Sequence, residues 1–236
     1  MIKGKTMRIS AKDLGRLATE DFCQRCFWIE RHAKGLPYQI GFPGIFSSID
    51  AYTKNIVERY FQKNGRFPQW LSEVGSAKRI VSVKPSEFKV ETDSITLTGI
   101  PDLLFERPDD GFAIVDYKTA KYTGNQDQLM PIYQIQLNGY AYIAEALGLR
   151  PVKDLYLVYF EPPYKETYEA ITDGHTNGDG FDMPFKPVIH KIKRDTKEIV
   201  RLLEKAGEAY ELSKPPKGLG GCKDCEKLEN LINMVE

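Results

Sequence analysis

The sequence predicts an α/β fold with a mixed sheet, in the order helix, three strands, helix, strand and later additions. Three observations carry this reading. Apolar residues recur at helical spacing near Asp50 to Gln62, two strand-like runs flank Pro108-Asp109-Asp110-Gly111, and Leu155 to Phe160 is short and almost wholly apolar. The 236 residues sit near the upper end for one domain, and 42% hydrophobic residues supply enough apolar surface to offset chain entropy, which excludes disorder for most of the length. We expect a single domain over 1–236, with a core from about 43 to 200 and an accessory lobe from 8–40 and 201–236.

The first helix follows from Ile49, Tyr52, Ile56, Val57, Tyr60 and Phe61, which form one stripe that ends before Asn64-Gly65. Three strand candidates come next: Arg79 to Val90, Ile95 to Phe105 and Phe112 to Lys118, the last two read as a hairpin. Ile132 to Leu147 is a second helix closed by Gly148, and Leu155 to Phe160 is a buried strand. Pro162 to Pro187, rich in Pro, Gly and Asp, is a long loop or loose hairpin. Val188 to Ile192 reads as strand, and an amphipathic helix runs from about Asp195 to Leu212 until Pro215-Pro216 breaks it.

Charge and hydropathy narrow the function classes. Lys+Arg 33 balance Asp+Glu 33, so the whole chain is not a polycation that coats nucleic acid. No run approaches the roughly 18 apolar residues of a spanning helix, so no membrane partner is expected. The basic residues at Met1 to Met7 have no apolar segment behind them, which makes a cytoplasmic location the expectation. No Gly-rich phosphate loop is present, so nothing suggests a nucleotide-driven motor. Between Met183 and Lys217 nine basic residues stand against five acidic ones, best read as a solvated helix face. Asp173 to Gly178 resembles the start of a calcium loop, but Pro184 stands where its glutamate belongs, and that reading is rejected.

The chemistry lies in the hairpin. Gly99-Ile100-Pro101-Asp102 precedes Asp116-Tyr117-Lys118, which ends the apolar run Ala113-Ile114-Val115. Strand periodicity puts Asp116 and Lys118 on one face. Acids at the ends of neighbouring strands can share a hard divalent cation, and a lysine beside them can orient or deprotonate a water, as phosphodiester hydrolysis requires. Acid-x-base triplets arise about five times by chance in this composition, and Glu87-Phe88-Lys89 is such a case. Asp116-Tyr117-Lys118 is lifted above chance by Pro101-Asp102, by the intervening turn and by the helix that follows, on which Gln136 and Tyr140 share a face at i and i+4. Tyr140 is alternatively ordinary packing beside Ile132, Ile143 and Leu147.

These residues in this order resemble the RecB-type branch of the PD-(D/E)-x-K nuclease superfamily over roughly Asp50 to Phe160. The resemblance implies a restriction-endonuclease-like αβββαβ core. It implies a Mg²⁺- or Mn²⁺-dependent deoxyribonuclease with Asp102 and Asp116 as metal ligands, Lys118 serving the attacking water, and Gln136 with Tyr140 supporting the site or the DNA strand. The implied substrate is DNA, single-stranded or with free ends, in repair, recombination or CRISPR spacer processing, with a helicase or CRISPR integration proteins as possible partners. A catalytically inactive nucleic-acid-binding or assembly module is the alternative. Members of that branch usually carry a histidine ligand on the first helix, whereas His32, His175 and His190 all lie elsewhere. The equivalent position is Asp50, either a third oxygen ligand for Mg²⁺ or a helix cap.

All four cysteines fall in two Cys-x-x-Cys pairs, Cys23/Cys26 before the core and Cys222/Cys225 after it. In a reducing compartment such pairs suit a shared metal, either Zn²⁺ or a 4Fe–4S cluster, which would clip the chain ends together. The pairs are also similar to those of the iron–sulfur subset of the same superfamily, which includes CRISPR-associated exonucleases and AddB-type recombination nucleases. That subset usually shows one early and three late cysteines where this chain has two and two.

Overall fold

The computed structural model describes residues 6–33, 43–120, 122, 128–161 and 176–234. His175 and the 162–175 part of the expected loop lie outside the described residues. Strands are numbered in chain order: β1 (Met7–Ser10), β2 (Arg79–Ile80), β3 (Lys89–Glu91), β4 (Ile95–Thr98), β5 (Leu103–Glu106), β6 (Phe112–Lys118), β7 (Val152–Glu161), β8 (Thr176–Asn177), β9 (Gly180–Phe181) and β10 (Lys186–Ile192). The helices are α1 (Ala11–Gly15), α2 (Gln24–His32), α3 (Gly44–Asn64), α4 (Met130–Ala146), α5 (Thr196–Glu211) and α6 (Lys223–Asn233).

The main sheet has the order β10-β7-β6-β5-β2, with β6 and β7 parallel and the other neighbours antiparallel. A parallel pair needs a crossover connection, and α4 supplies it between β6 and β7. β7 is the long apolar strand that the sequence anticipates, buried from Asp154 to Phe160 because it has a neighbour on each side and packing on both faces. A second sheet, β1-β4-β3, pairs β1 with β4 in parallel. The α/β class, the mixed sheet and the helix–strand order of the core therefore match the expectation.

Two strand boundaries differ from it. Arg79 to Val90 is not one strand: β2 and β3 are separated by a turn at Lys84 to Glu87 that contains Pro85. Ile95 to Phe105 divides at Gly99-Ile100-Pro101 into β4 and β5, which belong to different sheets. Proline has no N–H to offer a ladder, so the chain leaves one sheet there and enters the other at Leu103. The β5–β6 hairpin turns at Pro108 to Gly111, where Asp110 takes φ +56°, a left-handed conformation that Asp tolerates.

Alternation in β6 divides the core into two layers. Ile114 faces one layer with Leu137, Tyr140 and Ile143 of α4 and with Ile199, Leu202 and Ala206 of α5. Val115 and Tyr117 face the other, with Val57 of α3, Phe67, Leu71 and Phe105. α4 is buried nearly all round, as befits a helix between a sheet and two further helices. Its contact with α1 is close: a Cβ on Gly15 would lie 2.5 Å from the Ile132 carbonyl oxygen, and one on Gly139 would lie 2.8 Å from Ala11 Cβ. Met7, Ile9, Leu14 and Leu17 belong to the α4 layer, as does the apolar face of α5. β1, α1 and α5 complete the main core, and the cysteine region joins α2 to α6.

Candidate active site

The register of the hairpin brings the two strand acids together. Leu103 pairs with Val115 as the last step of the β5–β6 ladder, and one step further sets Asp102 opposite Asp116. Pro101 ends the ladder there, which leaves the Tyr117 N–H without a strand partner, and that N–H donates to Asp102 Oδ2 at 2.6 Å. Asp102 thereby closes the end of the hairpin, with Oδ1 pointing elsewhere.

Asp116 is 2% exposed. Gln136 Nε2 donates to its Oδ1 at 3.1 Å and to the Tyr140 hydroxyl oxygen at 2.6 Å. Lys118 Nζ lies 2.5 Å from Asp116 Oδ2 and donates to Gln136 Oε1 at 3.1 Å. The Lys118 ammonium also sits over the Tyr133 ring, 4.5 Å from its centroid. Burial pushes the Asp116 carboxyl up to about 6; Lys118 opposes this and the charge of Asp102 adds to it. Burial likewise raises the Tyr140 phenol, so it stays neutral and able to donate. Tyr140 packs in the core and its hydroxyl also accepts from Gln136: its ring edge fills the space over Gly99, where a Cβ would lie 2.4 Å from Tyr140 Cε1. Gly99 is required by that close approach.

Asp50 is not a helix cap. α3 begins six residues earlier, at Gly44, with Pro43 before it, so Asp50 lies in the second turn. Its Oδ2 accepts from Lys54 Nζ at 2.6 Å, and the same ammonium lies 2.7 Å from Asp102 Oδ1. Burial works against the Lys54 charge, but Asp102 and Asp50 outweigh it and raise its pKa. Sequence reasoning passed over Lys54, although an acid and a lysine at i and i+4 on the helix facing the hairpin was the available signal.

Asp50, Asp102 and Asp116 thus come from three separate elements, with Lys54 and Lys118 between them. Three carboxylates against two ammonium groups leave a negative excess. Asp116 Oδ2 is buried and faces the Lys118 ammonium. Three hard oxygen donors with a net negative excess fit a hard divalent cation such as Mg²⁺ or Mn²⁺.

The four cysteines also converge, away from the sheet. Cys23 Sγ lies 3.5 Å from Cys225 Sγ, and Cys26 Sγ lies 3.6 Å from Cys222 and 3.5 Å from Cys225. All four sulfurs lie within 4.8 Å of one another, and none is in a disulfide. Burial raises the Cys26 and Cys225 thiols. At Cys23 burial acts the same way, but N–H donors, chiefly Leu219 at 3.4 Å, bring the thiol down to about 7. The group as a whole is compatible with a bound metal.

A mixed sheet with an acid pair and a lysine at the open end of its central hairpin, walled by a helix that carries Gln and Tyr, has the restriction-endonuclease-like architecture. The model of the PD-(D/E)XK nuclease superfamily matches residues 8–227, and the chain belongs to that family. Among solved structures, the chain is similar to the alkaline exonuclease LHK-Exo from Laribacter hongkongensis, at 11% identity over 97% of this chain and 93% of that one, TM-score 0.46. It is also similar to a phage-related exonuclease from Haemophilus somnus 129PT, at 13% identity over 98% of each chain, TM-score 0.47. LHK-Exo in complex with dAMP gives 10% identity over 99% of this chain and 95% of that one, TM-score 0.44. No curated protein matches the sequence. Among the described residues no helix is long and apolar enough to cross a membrane.

Proposed function

We propose that this protein is a metal-dependent deoxyribonuclease that hydrolyses phosphodiester bonds in DNA, acting on single strands or free ends. The observation that carries the reading is the convergence of Asp102, Asp116 and Lys118 at one end of the hairpin. In this reading Asp102, Asp116 and Asp50 hold Mg²⁺ or Mn²⁺. When bound, that ion neutralises charge on the scissile phosphate and favours ionisation of a nearby water.

The chain's own residues do the positioning. Gln136 spans Asp116, Lys118 and Tyr140 and so fixes the rotamers of an acid and a base together. Lys118, pinned between Asp116, Gln136 Oε1 and the Tyr133 face, presents its ammonium to the attacking water. The water oxygen bonds to phosphorus, the P–O bond to a sugar oxygen breaks, one proton of the water leaves to solvent, and the departing sugar oxygen takes a proton from solvent. DNA repair, recombination or CRISPR spacer processing is the setting that belongs to this proposal.

The test is cleavage of end-labelled single- and double-stranded DNA with Mg²⁺, Mn²⁺ or EDTA, run beside Lys118→Ala. Divalent-dependent cutting lost in the variant supports the reading, and a fall of about 10²- to 10⁴-fold is expected. Binding of DNA without cutting in any metal would replace the enzyme with a nucleic-acid-binding module.

A further inference from the structure

We propose that the four cysteines hold one Zn²⁺ ion in a closed tetrathiolate site, and that this ion, in place of a 4Fe–4S cluster, docks the C-terminal helix onto the protein. The sulfur separations decide the nuclearity. Around one tetrahedral Zn²⁺, with Zn–S near 2.3 Å, sulfurs sit about 3.8 Å apart. In a 4Fe–4S cluster each thiolate binds a different iron, which spreads the thiolate sulfurs to about 6 Å. In a 2Fe–2S cluster the sulfurs pair off, and those on different irons are again about 6 Å apart. Here every sulfur lies within 4.8 Å of every other, and the three short separations of 3.5 to 3.6 Å all run between the early and the late pair. No division of the four into two distant pairs is consistent with that.

The backbone around the sulfurs is built to the same scale. Cys23 is the N-cap of α2 and Cys222 the N-cap of α6, neither making a side-chain capping bond, and Cys26 and Cys225 follow three residues later. These are the positions a capping box would occupy, so two helix N-termini converge on one centre and favour thiolate charge there. Gly218 approaches so closely that a Cβ would lie 2.8 Å from Cys225 Sγ. Four thiolates fill a tetrahedral shell, and Cys23, Cys26 and Cys225 are buried, as suits a structural site. Of the ions that accept four thiolates tetrahedrally, Zn²⁺ binds more tightly than Fe²⁺.

α6 also needs such an anchor. Cys225 is its buried residue, while Leu231, Ile232 and Met234 are exposed. The Arg25 to Glu229 ion pair at 2.6 Å also joins it to α2. By contrast α2 is held by Phe27 in the core and by Trp28, whose Nε1 donates to the Leu212 carbonyl at 2.8 Å.

The experiment is elemental analysis and acid-labile sulfide assay of the full chain, expressed without a metal-binding tag and purified anaerobically. We expect about one Zn per chain, no labile sulfide and no visible absorption. Growth with Co²⁺ should yield about one Co and the intense visible bands of a tetrahedral thiolate site. Iron with stoichiometric labile sulfide, a single iron without sulfide, or metal-free protein would each overturn the proposal. Cys222→Ser, at the half-exposed ligand, is expected to lose the Zn and melt at lower temperature; unchanged Zn content would also overturn it. The proposal stands apart from the nuclease reading, because Lys118→Ala should keep its Zn whatever its activity.

Discussion

Lys54 Nζ lies 2.7 Å from Asp102 Oδ1 and 2.6 Å from Asp50 Oδ2, so a lysine ammonium fills the gap between the helix acid and the strand acid. A monovalent charge in that gap repels an incoming divalent ion while it stabilises the ion-free fold. Lys54→Met should therefore bind Mn²⁺ about tenfold more tightly or better, measured by calorimetry, and melt at lower temperature without added metal. Weaker Mn²⁺ binding would mean that Lys54 supports the ion instead of competing with it.

The raised Asp116 carboxyl fixes the sign of a pH effect. Its folded pKa of about 6 exceeds the ordinary carboxylate value, so the fold prefers the protonated form. The associated stability is complete at low pH and is lost as pH rises through about 6. Asp116→Asn removes that loss. Without added divalent metal, its stability advantage over wild type should grow from pH 5 to pH 7.5, towards about 3 kcal/mol, in denaturant melts. An advantage that shrinks over this range would contradict the assignment.

Gln136 has three partners, and an apolar replacement abandons them all. Gln136→Leu should cost about 1–3 kcal/mol, since Asp116 and Tyr140 lose a buried hydrogen bond each. Cleavage should fall with it, while Gln134→Leu, whose side chain is not part of the network, should leave cleavage near the wild-type rate. Unchanged stability in Gln136→Leu would show that the network does not hold the site.

Gly99 and Tyr140 should be coupled. Gly99→Ala drives a methyl into the Tyr140 ring and should cost about 1–3 kcal/mol. Tyr140→Leu on the same background makes room, so the double variant should be less destabilised than the two single effects added. Strict additivity would sink this explanation of the glycine.

Much of the site was legible because its spacing is local. Asp116 and Lys118 share a face by strand alternation, Gln136 and Tyr140 by helical repeat, and the hairpin turn sets the register that opposes Asp102 to Asp116. What was missed depends on long-range geometry or on one backbone group. Pro101 could be read as a strand-edge residue, but not as the point where the chain changes sheets. Lys54 needed the approach angle of α3, and the start of α3 at Gly44 placed Asp50 inside the helix where its position alone also suited a cap. The role of β1 and α1 in the main core was hidden because their partners, β4 and α4, lie some 90 to 130 residues later.

That seating of α1 against α4 has a consequence for the order of assembly. Asp50, Asp102, Asp116 and Lys118 all leave the ribosome before the first residue of α4, and α1 is made earlier still, with no helix to receive it. The Gly15 and Gly139 contacts close only after α4 has emerged, across more than a hundred intervening residues. A nascent chain arrested before Met130 would carry every acid of the site and expose the apolar faces of β6 and α1, making it a substrate for chaperones before it could be anything else.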